Sequence, residues 1–253
     1  MNFTDLKKRI IPIILINDYQ VVTSRNFSDY RVFGNLEQTI EIFNRRDVDE
    51  IIVLDISSSK KKSLIDLNIL KIMSKNTLMP FSYGGGIKNL NDIENCLNLG
   101  CDKISLNSSL RKNKNFLKEA VNEFGSQAIT VSVDYIVENS KAFLYDHVSS
   151  KKLDFNLIDF IKSVYDLNCG EILLSSVNSD GYLNGYDFFV LNQIRSEIDC
   201  PIILSGGCGK PSDMLNAFEN DADACGAGSI FYYTKYGYQD IKKFLKEKQI
   251  KIR

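Results

Sequence analysis

Phe81-Ser82-Tyr83-Gly84-Gly85-Gly86-Ile87-Lys88, followed by Cys101-Asp102-Lys103-Ile104-Ser105-Leu106-Asn107-Ser108, has a counterpart about 120 residues further along the chain. The counterpart is Ile203-Leu204-Ser205-Gly206-Gly207-Cys208-Gly209-Lys210, followed by Ala222-Asp223-Ala224-Cys225-Gly226-Ala227-Gly228-Ser229. Each copy reads as strand, glycine turn, helix, strand and small polar turn. A glycine turn that feeds a helix lets backbone N–H groups close on an anion, and the helix dipole adds to the attraction. Two copies imply a doubled architecture with two phosphate-sized pockets, and a ligand that carries phosphate at each end.

Outward from these turns, short β-branched runs alternate with amphipathic helical runs. Strands are expected at Arg9–Ile16, Glu50–Ile56, Met79–Tyr83, Lys103–Leu106, Ala128–Val133, Glu171–Ser176, Pro201–Leu204 and Ala224–Ala227. Helices are expected near Leu36–Arg46, Leu64–Ser74, Leu90–Leu99, Asn115–Glu123, Leu157–Leu167, Phe188–Glu197, Met214–Asn220 and Gln239–Lys246. Strand–helix units in that order predict a parallel sheet with right-handed crossovers. Eight units within 253 residues favour a closed (β/α)8 barrel, an α/β fold, over an open sheet. Asp49–Asp55 also pairs with Gly170–Ser176 at the offset of the glycine turns, so the barrel reads as two half-barrels, about 1–124 and 125–253. No proline-, glycine- or serine-rich linker separates them, and one domain over 1–253 is expected. Asn17–Gly34 and Tyr135–Asp154 break the rhythm; the first is a candidate lid and the second a small hairpin. Both follow strand C-termini, the active face of such barrels.

The formal net charge of −1 gives no sign of a nucleic-acid or anionic-membrane partner. No apolar run is long enough to span a bilayer. Met1–Lys8 lacks an apolar signal-peptide core, so a cytoplasmic protein is expected. The six cysteines form no C-x-x-C pair and read as reduced, mostly buried side chains, with Cys208 in its glycine turn a candidate reactive thiol. His147 is the only histidine, which excludes a multi-histidine metal site. Neither metal nor cofactor is expected. A serine–histidine–acid triad would have to use His147, which lies in a polar, loop-like stretch.

Function in this fold sits at strand C-terminal ends. The candidates there are Leu15, Asp55, Gly84–Gly86, Asn107, Ser108, Asp134, Ser176, Asn178, Asp180, Gly206, Gly207, Gly228 and Ser229. Gly85 and Gly86 with Asn107 and Ser108 offer donors for one phosphate. Asp180-Gly181, Gly206-Gly207 and Gly228-Ser229 offer them for a second. Tight turns without a ligand are the bland alternative. Asp134 ends strand five and is a candidate general acid or base, or else a salt-bridge partner or helix cap. Its repeat mate at the end of strand one is Leu15, which moves no proton. A mechanism that needs two opposed carboxylates is broken at that position.

With those residues in hand, the chain resembles the cyclase subunit of imidazole glycerol phosphate synthase over nearly its whole length. The strongest blocks are Pro80–Ile87, Gly125-Ser126-Gln127-Ala128, Glu171–Leu174, Asp180-Gly181, Gly185-Tyr186-Asp187 and Ser205–Lys210. The resemblance implies a barrel that takes a long bis-phosphate substrate and ammonia, forms an imidazole ring and releases an aminoimidazole ribotide. It implies a separate glutaminase docked on the N-terminal face as the ammonia source. The family's phosphate residues fall on Gly85, Gly86, Asn107, Ser108, Asp180, Gly181, Gly206, Gly207, Gly228 and Ser229. One catalytic aspartate falls on Asp134, the other on Leu15, and a first-loop lysine on Thr23. The charges of the family's ammonia gate fall on Arg9, Glu50, Lys103 and Glu171, and an interface residue on Asp102. The Glu50, Lys103 and Glu171 set favours the cyclase over the sister isomerase of histidine synthesis. Period-two alternation puts Arg9 and Leu15 on one face of strand one, so two cations and two anions are expected to meet on the barrel floor. A structural salt-bridge layer is the plain alternative there.

Three functions fit. The first is a divergent cyclase-type subunit with impaired cyclisation, channelling ammonia to a third enzyme that amidates a sugar, as in copies of surface-polysaccharide pathways. The second is an active cyclase of histidine biosynthesis. The third is a non-catalytic scaffold or activator of the glutaminase.

Overall fold

Short, near-continuous apolar runs, buried on both faces, build the barrel strands of this chain. A computed structural model describes residues 7–61 and 65–253. Met1–Leu6, most of the stretch on which the signal-peptide expectation rests, and Leu64, the expected start of the second helix, lie outside the described residues. The strands are β1 (Arg9–Asn17), β2 (Gln20–Arg25), β3 (Ser28–Asn35), β4 (Ile51–Asp55), β5 (Phe81–Gly84), β6 (Lys103–Leu106), β7 (Ile129–Glu138), β8 (Lys141–Asp146), β9 (Lys151–Asn156), β10 (Glu171–Ser176), β11 (Ile202–Ser205) and β12 (Ala224–Ala227). Parallel pairing runs β1-β4-β5-β6-β7-β10-β11-β12 and returns to β1, a closed (β/α)8 barrel.

The helices wrap the outside because their apolar residues recur at three- and four-residue spacing. Leu36–Arg45 buries Leu36, Thr39, Ile40 and Phe43, and Asn35 caps it by accepting from the Gln38 N–H at 2.8 Å. Asn89 and Asn156 cap Leu90–Asn98 and Leu157–Tyr165 in the same way. Such a cap contributes about 1 kcal/mol. Most strand and helix ends agree with the sequence to within a few residues. Short helices at Ile56–Lys61, Ser108–Lys112 and Ser229–Tyr233 sit after strand ends and were not legible as periodic runs.

Two excursions leave the barrel. β7 runs on to Glu138 and turns back antiparallel through β8 and β9, so Tyr135–Asp154 is a three-stranded extension. Asn17–Gly34 is not an open lid but a β-hairpin, with β2 antiparallel to the end of β1 and β3 beyond it. Its tip is fastened. The Asn26 and Phe27 N–H groups donate to the Asp180 carbonyl (3.3 Å) and carboxylate (3.2 Å).

The repeat is visible in the register. Leu15 stands beside Leu54, and Asp134 beside Ser175, while Leu54 and Ser175 are mates under the 121-residue offset of Gly85 and Gly206. Leu15 is therefore the mate of Asp134. The larger core lies between sheet and helices; a smaller one of Ile11, Ile13, Ile52, Leu173, Ile203 and Ala224 fills the barrel interior. Among the described residues, no helix is long and apolar enough to cross a membrane.

Candidate functional site

The C-terminal ends of the strands hold two adjoining clefts, one somewhat larger than the other. The larger is lined by Gly84–Gly86, Asn107, Ser108 and Asp134. The smaller is lined by Asp180, Gly181, Gly206, Gly207, Gly228 and Ser229. The two residue sets read from the repeat are thus each brought together, in separate clefts. Leu15, Ser24, Phe27, Leu54 and Ser175 line both and form the divide between them.

The turns are built alike. Gly85 and Gly206 have φ of 130° and 97°, and a Cβ there would stand 2.3 Å from the Asp55 carbonyl oxygen and 2.5 Å from that of Ser176. Only glycine permits so close a crossing of backbones. Ser108–Lys112 and Ser229–Tyr233 start instead where β6 and β12 end, and neither Asn107 nor Gly228 caps its helix with a side chain. Their first N–H groups are left to an outside acceptor.

Asp134 is buried in the larger cleft. Its Oδ2 accepts from Asn107 Nδ2 at 2.8 Å and lies 2.9 Å from His147 Nδ1. Arg111 fixes the arrangement by donating to Asn107 Oδ1 and pairing with Asp146. The β7–β9 extension is what delivers His147. A sequence pattern gives no access to that contact, because His147 reaches the mouth only through a hairpin that folds back. No serine joins the pair: the imidazole has no hydrogen-bond partner besides Asp134 among the described residues, so the triad is not assembled.

Asp180 stands at the divide. Ser24 Oγ donates to its Oδ2 at 2.5 Å, together with the Phe27 N–H. Burial, with the neighbouring charge of Asp134, pushes its carboxyl up to about 6 against the Ser24 and Phe27 bonds. Opposite Asp134 in the repeat, Leu15 packs on the interior apolar cluster. Thr23 pairs its hydroxyl with Tyr233 at 2.7 Å, so no cation occupies that place.

Four other candidates point elsewhere. Asp55 is turned away from the axis, and both its oxygens are taken by Ser57, Ser58 and Tyr83. Ser176 faces outward in the same way, 3.3 Å from Asp187. Asn178 bonds the Val137 backbone of the extension. Cys208 is buried, which pushes its thiol up to about 12 and leaves it protonated rather than reactive. All six cysteines are free and buried.

At the opposite end of the axis, Arg9 bridges Glu50 (3.3 Å) and Glu171 (2.9 Å), and Lys103 also bonds Glu171 at 2.9 Å. Thr130 Oγ1 adds a third donor to Glu171 at 2.8 Å. Burial alone would raise the Glu171 carboxyl, but Arg9 and Lys103 outweigh it and hold it below the usual range. The chain of pairs is open between Glu50 and Lys103 among the described residues. Asp102 lies exposed at this end, where its carboxylate receives the Phe81 N–H at 3.0 Å. Its mate Asp223 receives the Ile202 N–H at 2.9 Å, so both residues lock the entry of a strand.

Between floor and mouth the interior has two walls. One is the apolar cluster of Ile11, Ile52, Leu173 and Ile203. The other carries buried Ser82, Ser105 and Ser132, and the Ser105 hydroxyl has no hydrogen-bond partner among the described residues.

Residues 9–237 match the family described as histidine biosynthesis protein. A Campylobacter jejuni protein, provisionally named imidazole glycerol phosphate synthase subunit hisF2, is 38% identical over 248 residues, covering 98% of this chain and 99% of that protein. Imidazole glycerol phosphate synthase subunit HisF of Hydrogenobaculum sp. is 36% identical over 250 residues, and that of Petrotoga mobilis 35%; each alignment covers 98% of this chain and 99% of the relative.

Proposed function

This chain belongs to the histidine biosynthesis protein family, as a HisF-like cyclase subunit of imidazole glycerol phosphate synthase, and we propose that it is a divergent member with an ammonia path and an impaired cyclisation centre. It pairs with a glutaminase at the N-terminal face, near Asp102. Ammonia enters past Arg9, Glu50, Lys103 and Glu171 and follows the serine wall to the mouth. A phosphorylated ligand is held by Gly85, Gly86, Asn107 and Ser108 at one end. Asp180, Gly181, Gly206, Gly207, Gly228 and Ser229 hold the other. The ammonia then serves a third enzyme that amidates a sugar of a surface polysaccharide.

One observation carries this reading: the mate of Asp134 across the repeat is Leu15, while ion pairs join Glu50, Arg9, Glu171 and Lys103 on the floor. Loss of one proton-transfer group costs about two to four orders of magnitude in rate. The backbone donors of both turns are present, which supports a retained phosphate ligand and weighs against a bare scaffold.

The assay mixes the protein with its glutaminase, glutamine and the family's bis-phosphate substrate. The expected result is glutamine hydrolysis with imidazole product formed at least about a hundredfold below the rate usual for the family. Product at the usual rate overturns the reading. A second reading, an ordinary cyclase of histidine biosynthesis, draws on Asp180, a buried carboxyl in the adjoining cleft whose affinity for its proton is raised. The same assay separates the two.

A further inference from the structure

We infer that His147 is an acid–base residue of the larger cleft, with Asp134 as the group that orients it. His147 Nδ1 lies 2.9 Å from Asp134 Oδ2, and the imidazole lines the cleft that also contains Gly84–Gly86 and Ser108. A carboxylate at that distance accepts the Nδ1 proton, which fixes the tautomer and leaves Nε2 as a lone-pair acceptor. Nε2 has no protein partner among the described residues. The segment that carries the ring, and the other donor to Asp134, are also anchored. Asp146, next in sequence, is bonded by Arg111 and by the Ser149 hydroxyl (2.7 Å), and Arg111 in turn holds Asn107, the other donor to Asp134.

The chemistry is one proton transfer. A ligand in the cleft gives a proton to Nε2, the imidazole becomes imidazolium, and Asp134 stays ionised beside it. The proton returns from Nε2 to the ligand or to water later in the turnover. Leu15, across the divide, moves no proton, and the imidazole–carboxylate pair stands wholly on the Asp134 side. Among the described residues, the charged and titratable groups around the ring are Asp134 on β7, Asp146 on β8 and Arg111 on the Ser108–Lys112 helix. Tyr30 on β3 lines the same cleft, the Asp55 carboxylate is turned away to Ser57, Ser58 and Tyr83, and Asp180 acts through Asp134. The inference rests on the reading of this cleft as a phosphate-ligand site.

His147 is the chain's only histidine, so its ring gives one unambiguous pair of 15N signals. The test follows those signals, and the amides of Gly85, Gly86 and Ser108, in the full chain as the family's bis-phosphate substrate is added. The expected result is an Nδ1–H tautomer that Asp134→Asn abolishes, and an Nε2 signal that moves together with the three amides. If the amides move but Nε2 does not, or if the tautomer is Nε2–H, His147 is a strut and the inference is overturned while the phosphate reading stands. If neither moves, the phosphate reading fails and takes the inference with it.

Discussion

Leu15 is half-buried at the boundary of both clefts, with Leu54 beside it and the interior cluster beneath. Exchanging it for aspartate places a carboxylate where the repeat puts the mate of Asp134. Leu15→Asp should raise cyclisation by about a hundredfold or more in the glutaminase complex. It should also lower stability by about 1–3 kcal/mol, because apolar packing is lost and a charge is brought to an apolar edge. Rate and melting temperature measured on one preparation check both signs. Asp180 gives a second test. Its folded carboxyl titrates at about 6, above its ordinary value, so the protonated form favours folding. That stability is fully present below about pH 4 and is lost as pH rises through about 6. Asp180→Asn keeps the acceptor for Ser24 and Phe27 without the charge. Relative to wild type it should gain about 1–3 kcal/mol at pH 8, and much less at pH 4, in denaturant melts.

At this scale the sequence was legible wherever a residue's neighbours were set by the repeat. Gly85 and Gly206, Asn107 and Gly228 fall where the doubled pattern puts them. Asp55 was misdirected because a strand's last residue can face either way, and parity turns it outward. His147 was missed as a site residue because its contact with Asp134 depends on how a hairpin folds back.

The glycine turns and the strapped hairpin are the elements that shape the mouth. A Cβ at Gly181 would stand 2.0 Å from the Ser24 carbonyl oxygen. Gly181→Ala should push the Asp180 loop off the β2–β3 hairpin without touching the barrel strands. Faster hydrogen exchange confined to residues 20–35 is the expected readout, and unchanged exchange there would mean that the strap does not hold the hairpin. The barrel strands were readable because both faces are buried and their β-branched runs are continuous. The hairpin was not, since β3 is largely exposed and only Val21 and Val22 of β2 mark an apolar side. Its turns also run through positive φ at Asp18, Tyr19, Asn26 and Phe27, where no glycine announces them.

Across the whole molecule the axis joins an ion-paired floor to the mouth by way of an apolar wall and a serine wall. Glu171 is the hub of the floor, since it receives Arg9, Lys103 and Thr130. Glu171→Gln leaves two half-buried cations, of which Arg9 keeps Glu50, without their shared anion and should cost about 1–3 kcal/mol in denaturant melts. Because the folded Glu171 carboxyl is held low, its contribution in the wild type is present above the ordinary carboxylate range and is lost as pH falls through the depressed value. The most direct test of the account is an isotope competition in the complex of the Leu15→Asp barrel with its glutaminase. Glutamine carries 15N in its amide, and excess unlabelled ammonium is present in the buffer. The account predicts imidazole product labelled almost wholly from glutamine, because ammonia travels inside the barrel from floor to mouth. Product labelled in the ratio of the bulk ammonium would contradict it.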